Sequence, residues 1–259
     1  MKQSKELIDS RRKKALLIIN ENKSISNKDL ASKLNVSLPT IRRDINFLSK
    51  KGLIHKIHGE VQAIDSKVIL TTRIEKKKDL IAKYAASLIE NDDTIFINSS
   101  DTSIKTIKYV EPSKYISVVT NNGKTLKYHT LPNVKIILTG GEIKAPKSAM
   151  TGEFAIKNIK GVQANKAFLE ASGFHLEEGM TTANIDEVAV NKAMIENSNK
   201  VILCVDSSKL NHKSAFISGS VRNFDILITD SDADSTFIDN LTMLGVKCIL
   251  LDIDKEEYQ

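Results

Sequence analysis

The run Ser26-Asn27-Lys28-Asp29-Leu30-Ala31-Ser32-Lys33-Leu34-Asn35-Val36-Ser37-Leu38-Pro39-Thr40-Ile41-Arg42-Arg43-Asp44-Ile45-Asn46-Phe47-Leu48, continued by Gly52-Leu53-Ile54-His55-Lys56-Ile57-His58-Gly59, decides how the chain reads. Ser26 with Asp29 three residues on has the form of a capping box opening a short helix. Leu30, Ala31 and Leu34 give that helix one apolar stripe, and Asn35 suits the strained turn that ends it. Ser37 then caps a second helix. Pro39 stands in its first turn, where a missing N–H costs nothing.

In the second helix Ile41, Ile45 and Leu48 fall at i, i+4 and i+7 and face inward. At about 100° per residue, Thr40, Arg43, Asn46, Phe47 and Lys50 face outward, with Arg42 at the flank. Hydroxyl, guanidinium, amide and ammonium groups on one helix face are what base edges and phosphates need in a major groove. Gly52 ends the helix. The short alternating run after it, turning near Gly59, predicts a β-hairpin wing that carries His55, Lys56 and His58. The segment reads as a winged helix-turn-helix, with Ser37, Pro39, Thr40, Arg42, Arg43, Asn46, Lys50, His55, Lys56 and His58 as candidate DNA contacts. A lone Arg-Arg pair is as readily a solvated charge pair; the capped frame around this one favours DNA.

Charge placement agrees. The 259 residues carry a net +6, but residues 1–60 hold 14 Lys and Arg against 6 Asp and Glu, a net +8, and the other 199 hold 24 against 26, a net −2. A basic front end on a near-neutral body is the footprint of a nucleic-acid-binding domain fused to something else. Trp is absent, and no amphipathic basic face with aromatic anchors points to a membrane surface. No apolar run approaches ~18 residues, and Met1-Lys2-Gln3-Ser4 opens no signal core; a cytoplasmic protein is expected. Cys204 and Cys248 lie in apolar strand-like runs and read as buried free thiols, not as a disulfide or metal pair. His55 and His58 lack the further ligands a structural zinc needs. No metal site and no cofactor is expected.

The quoted residues resemble a known family. Val36-Ser37, Thr40-Ile41-Arg42-Arg43-Asp44, Gly52-Leu53-Ile54 and His58-Gly59 are similar to the N-terminal domain of the DeoR family of bacterial transcriptional regulators. Glu60 stands where that family has a second wing glycine.

In chain order, a helix is expected from about Lys5 to Asn20, with Leu7, Ile8, Ala15, Leu16, Ile18 and Ile19 on its core face. Its run Arg11-Arg12-Lys13-Lys14 reads either as a phosphate contact or as a solvated face. Residues 1–60 form the expected DNA-binding domain, 61–75 an aperiodic linker, and 76–259 the second domain, entered by a helix that Lys76-Lys77-Lys78 opens. Strand-like runs follow at Thr94–Ile97, Ile116–Thr120, Val134–Thr139, Ala167–Leu169, Val201–Val205, Ile226–Thr229 and Val246–Leu251. Helical patterns lie between several of them, clearest at Ile185–Asn197 and Ser235–Leu244. Near-continuous apolar strands alternating with helices predict an α/β domain built on a mostly parallel, Rossmann-like sheet covered on both faces.

Ligands of open α/β sheets bind beyond the carboxyl ends of the strands. Here those ends are small and polar, as a polar, phosphorylated small molecule requires. Thr120-Asn121-Asn122, Gly140-Gly141-Glu142, Lys166, Ser172-Gly173, Glu187 and Asp206 to Lys209 further resemble the effector domain of the same family, which is similar in fold to ribose-5-phosphate isomerase. The family's loop after the first strand, taken to hold a sugar phosphate, corresponds to Asn98, Ser99, Ser100, Asp101 and Thr102. The resemblance makes Asn98, Ser99, Ser100, Asp101, Thr102, Thr120, Asn121, Asn122, Gly140, Gly141, Glu142, Lys166, Ser172, Gly173, Glu187, Asp206 and Lys209 the candidate effector residues. Asp101 replaces a threonine of the family pattern, and a carboxylate beside a phosphate costs energy. Either it turns outward, or the effector is less anionic, or Lys209 compensates for it. Gly140-Gly141 alone is equally a turn, and Glu187 alone a surface residue.

The reading is a regulator, a repressor of a carbohydrate-metabolism operon, that binds double-stranded operator DNA as a homo-oligomer and answers to a phosphorylated sugar. Two alternatives stand beside it. One is a sugar-phosphate isomerase with Glu187 or Asp206 as base and Lys209 holding the oxyanion. The other is an architectural DNA-binding protein without sequence preference.

Overall fold

The computed structural model of the chain describes residues 5–63, 66–127, 131–143 and 148–254. They form two compact units, Met1–Arg73 and Ile74–Gln259. In the first, α1 (Lys5–Asn22), β1 (Ser24–Ser26), α2 (Asn27–Lys33), α3 (Leu38–Lys50), β2 (Ile54–Ile57) and β3 (Glu60–Ala63) follow one another. The three strands make an antiparallel sheet in the order β1-β3-β2. Ala15, Ile19, Leu30, Ile41, Ile45, Leu48, Ile54 and Val61 close a core of their own, as the i, i+4, i+7 spacing in α3 requires. The expected wing is there as β2 and β3. It extends three residues beyond position 60, and the short strand β1 completes it.

The expected linker is the main correction to the domain outline. Its first residues finish β3, Ile64 and Asp65 lie outside the described residues, and from Ser66 the chain is helical: α4 spans Ser66–Ser87. The helix begins ten residues before Lys76. Leu70, Thr71, Thr72 and Arg73 are all exposed, so these four residues show no buried face for a periodicity argument to find.

The second unit continues with β4 (Thr94–Ile97), β5 (Ile116–Thr120), β6 (Val134–Leu138), β7 (Glu142–Ile143), β8 (Met150–Thr151), α5 (Glu153–Lys160) and β9 (Lys166–Leu169). Then come β10 (Gly173–His175), β11 (Gly179–Thr182), α6 (Asp186–Glu196), β12 (Val201–Cys204), β13 (Phe216–Gly219), β14 (Ile226–Asp230), α7 (Ser235–Met243) and β15 (Lys247–Leu251). Seven strands form one sheet in the order β15-β14-β12-β9-β4-β5-β6, every neighbouring pair parallel. These are the seven apolar runs of the sequence. Alternate residues feed two cores: Phe96, Ala167, Leu169, Leu203 and Leu227 pack on one face with α5, α6 and α7, and Ile95, Ile97, Phe168, Ile202 and Ile228 pack on the other with α4. Burial on both faces is what a parallel sheet needs.

A small antiparallel sheet, β10-β11-β13, and the β7-β8 hairpin were not expected. Cys204 is a buried free thiol in β12, and burial pushes its pKa well above the ordinary value. Cys248 is free but only half-buried, a correction explained by its place on β15, an edge of the sheet.

Candidate nucleic-acid interface and ligand pocket

Side-chain capping sets both helices of the reading head. The Ser26 hydroxyl accepts from the Asp29 N–H at 3.0 Å and donates to its carboxylate at 2.7 Å. Ser37 accepts from the Thr40 N–H at 3.4 Å. With Pro39 in the first turn, α3 starts at Leu38, and its buried side carries Ile41, Ile45 and Leu48. Arg42, Arg43, Asn46 and Lys50 are exposed and Thr40 half-buried, so the face predicted for DNA is open. Asn46 is also tied to the wing: its side-chain oxygen accepts from Lys56 Nζ at 2.6 Å. His55, Lys56 and His58 are exposed on the wing. Gly59 alone takes a left-handed φ there, +80°. Glu60 is already in β3, where its carboxylate accepts from the Ser24 hydroxyl at 3.2 Å, so the missing second glycine leaves the wing intact.

Asp44, next to the two arginines of α3, points inward and is 1% exposed. Arg11 holds it through Nε at 2.6 Å and Nη2 at 3.3 Å, and Arg12 through Nε at 3.0 Å. The first half of the basic run in α1 is therefore an internal strut, while Lys13 and Lys14 stay exposed. The Arg12 guanidinium also lies 3.7 Å from the centroid of the Phe47 ring, which makes Phe47 a packing residue more than a DNA contact. A paired buried carboxylate with charged donors on both oxygens fixes geometry well. Here it fixes the roll of α3 against α1, and with it the direction in which Arg42 and Arg43 project. Sequence spacing could not show this, because the partners are more than thirty residues apart.

At the carboxyl end of the parallel sheet lies a cavity of about 290 Å³, at the small end of the range for metabolite sites. It brings together eight of the predicted residues: Asn98, Ser99, Ser100, Asp101, Asn122, Ser172, Glu187 and Lys209. Lys124, Ser148, Ala149, Glu170, Ala171, Thr182 and Asn191 complete the lining; none of these is among the candidate effector residues of the sequence. Three predicted residues support the wall from behind. The Thr102 N–H donates to the Glu170 carboxylate at 2.9 Å, Thr120 Oγ1 accepts from the Asn122 N–H at 3.1 Å, and the Asn121 amide donates to the Met150 carbonyl at 3.0 Å. Asp206 is buried and accepts from the Ser208 N–H at 3.1 Å; it shapes the turn that carries Lys209.

Five predicted residues lie elsewhere. Lys166 opens β9 instead of closing a strand, so it sits at the amino end of the sheet, ion-paired to Asp93 at 2.7 Å. Gly140 and Gly141 turn the chain after β6, at φ +68° and +114°. Glu142 pairs with Thr151 in the β7-β8 hairpin. Gly173 begins β10, where a Cβ would stand 2.4 Å from the His212 carbonyl; a close backbone approach, not a ligand, explains that glycine.

Within the cavity the amides are framework. Asn98 donates to the Glu170 carbonyl at 2.9 Å and to Asn191 at 3.1 Å, and accepts from the Glu170 N–H at 3.1 Å. Asn122 donates to the Ser100 carbonyl at 2.9 Å. Glu187 accepts from the Thr182 hydroxyl at 2.7 Å. Asp101 is compensated by Lys124, at 2.7 Å, and not by Lys209. The Lys124 hydrogen bond holds the Asp101 carboxyl below its usual value, against an opposing effect of burial. Burial pushes the Glu170 carboxyl up. Two ammonium groups, three carboxyls and a ring of hydroxyls and amides suit a polyhydroxylated compound with one anionic group. Asp101→Thr takes the carboxylate away from Lys124 and is expected to tighten binding of a phosphorylated sugar several-fold, whereas Lys209→Ala weakens it about tenfold, ~1.4 kcal/mol. Titration calorimetry on both variants checks this; weaker binding in Asp101→Thr would mean that Asp101 grips a sugar hydroxyl.

Among the described residues, no group of three or more His, Cys, Asp or Glu side chains is placed to hold a metal ion, and no helix is long and apolar enough to cross a membrane.

Comparison with known proteins covers both units. Residues 11–67 match the model of a DeoR-like helix-turn-helix domain, and residues 73–231 that of the DeoR C terminal sensor domain. The HTH-type transcriptional regulator GolR of Listeria innocua is 30% identical over 85% of this chain and 90% of its own length. The putative aga operon transcriptional repressor of Escherichia coli O157:H7 is 26% identical over 93% of each. Among solved structures, ribose 5-phosphate isomerase A from Methanocaldococcus jannaschii is similar at 15% identity over 52% of this chain and 54% of that one, with a TM-score of 0.38.

Proposed function

The chain belongs to the DeoR family of transcriptional regulators, and from that membership we propose that it represses a carbohydrate-metabolism operon until a phosphorylated sugar occupies the pocket of its second unit. The regulator binds DNA through its helix-turn-helix; the operon, the sign of regulation and the effector class are the proposal. The observation that carries it is the face of α3, where Thr40, Arg42, Arg43, Asn46 and Lys50 project from a helix whose roll is locked by Asp44.

One small winged domain reaches few base pairs, so specificity comes from a homo-oligomer reading paired half-sites. Induction then requires the sugar phosphate to bind better in a conformation whose reading heads fit the operator worse, since a ligand shifts an equilibrium only by its difference in affinity. The isomerase alternative is less well supported. Asp206 is turned into its own loop, Glu187 is held by Thr182, and an enzyme has no use for a reading head.

Arg43→Ala is expected to weaken binding to a DNA fragment selected by the wild-type protein from a random-sequence pool by about 1–3 kcal/mol, with the melting temperature unchanged. Wild-type affinity in the folded variant would remove α3 from the groove. Raising salt from 50 to 200 mM should weaken wild-type binding by orders of magnitude, because phosphate contacts release counterions. A flat salt dependence would detach the basic unit from the DNA backbone. A thermal-shift screen of pentose and hexose phosphates tests the effector class.

A further inference from the structure

Helix α4 crosses the boundary between the two units at Arg73/Ile74, and two buried lysines fasten one short stretch of it, residues 75–79, to the loops that wall the pocket. On one side Lys105 belongs to the 3-10 helix Ser103–Tyr109, which one residue, Thr102, separates from the pocket residues Asn98 to Asp101. Lys105 is 8% exposed and reaches back to Glu75 at 2.8 Å and Asp79 at 3.0 Å on α4. On the other side Lys77 of α4, 7% exposed, reaches Asp230 at 2.6 Å, Asp232 at 2.9 Å and the Ser207 hydroxyl at 2.9 Å. Ser207 in turn donates its N–H and hydroxyl to Asp230 at 2.7 and 2.9 Å. It opens the 3-10 turn Ser207–Lys209, whose last residue lines the cavity.

Burial works against the charge on both lysines, yet their carboxylate partners outweigh it and leave each ammonium above the ordinary lysine value. Exposed ion pairs reshuffle with little cost. Buried ones that lose a partner leave a charge stranded, so a displaced loop carries its partner with it. Neither lysine lines the pocket or lies in the reading head.

We infer that Lys77 and Lys105 are the coupling residues of this regulator: Lys105 grips α4 from one pocket loop and Lys77 reaches from α4 to the other, so that a ligand drawing residues 98–102 and 206–209 together moves the helix leading to the DNA-binding unit. The inference rests on the cavity being the effector site. Two separate elements with discrete contacts, both biased by one ligand, are the physical content of such a coupling.

The test uses the full chain, the DNA fragment selected by the wild-type protein, and the sugar phosphate that most raises the wild-type melting temperature. The variants are Lys105→Met, whose partners are half-exposed, and Lys77→Met combined with Asp230→Asn, which avoids stranding a buried carboxylate. Both should bind the sugar phosphate within about twofold of wild type, while its effect on DNA affinity falls about tenfold or more, within the usual range of such couplings. The same ligand effect on DNA affinity in the variants as in wild type would overturn the inference. If no sugar phosphate shifts the melting temperature, the effector reading fails by itself, and the coupling is judged without ligand. Lys209→Glu, a charge reversal in the pocket, should then change amide hydrogen exchange over residues 74–87 in the wild-type background and not in the two variants. An equal change in all three backgrounds would overturn it.

Discussion

Replacing Arg11 and Arg12 together by methionine is expected to destabilise the N-terminal unit by about 3–5 kcal/mol, the cost of leaving a buried carboxylate without its partners, and to abolish DNA binding with it. Asp44 is 1% exposed and all of its observed donors are those two guanidinium groups. Methionine keeps the aliphatic stems, so lost packing contributes little. The triple variant, with Asp44→Leu added, separates the causes: an apolar group in place of the stranded charge should restore most of the stability, as buried ion pairs are often replaceable. It should not restore full affinity, because the roll of α3 is then set by softer contacts. Urea denaturation followed by circular dichroism, with DNA binding measured in parallel, checks both. A double variant as stable as wild type would mean that water reaches Asp44.

The second large effect is expected at Gly141. Its φ is +114°, and a Cβ there would stand 2.4 Å from the Thr151 carbonyl oxygen and 3.1 Å from Ala155 Cβ. Gly141→Ala combines backbone strain with a clash against main chain that cannot swing aside, a loss of at least about 3 kcal/mol. Gly140 has φ +68° and open space where its Cβ would be, so Gly140→Ala costs only about 1–2 kcal/mol. Chemical denaturation of the two variants measures the contrast. If instead both are stable and both bind a sugar phosphate poorly, the pair is a ligand loop after all.

The two glycines show where sequence reading runs out. Gly-Gly at a strand end fits a ligand loop and a tight turn equally well, and the choice depends on the Thr151 backbone, ten residues away. Lys166 fails for a related reason. The apolar run announces β9 but not which of its ends faces the ligand, and Lys166 stands at the start. The seven parallel strands were legible because a strand buried on both faces has to be near-continuously apolar, as Val201 to Cys204 and Ile226 to Ile228 are. β10, β11 and β13 were not, since Gly173-Phe174-His175 and Gly179-Met180-Thr181-Thr182 mix glycine, apolar and polar residues without a period. The exposed side of α3 was readable from its spacing alone. The strut beneath it, from Arg11 and Arg12 to Asp44, and the lysine contacts between α4 and the pocket loops join residues far apart in the chain, and no local pattern encodes them.

The strand order has a consequence for how the molecule comes into being. β4 and β9 lie side by side at the middle of the large sheet, with Ile95 opposite Lys166, so the central pairing waits on some seventy residues of intervening chain. The core of the first unit closes with Val61. Pairing across long separations is slow, and domains fold as units from the N-terminus during synthesis. The reading head is therefore complete while the sensor is still an open chain. A stop codon or a proteolytic cut between residues 90 and 165 would release a folded reader that no metabolite can address.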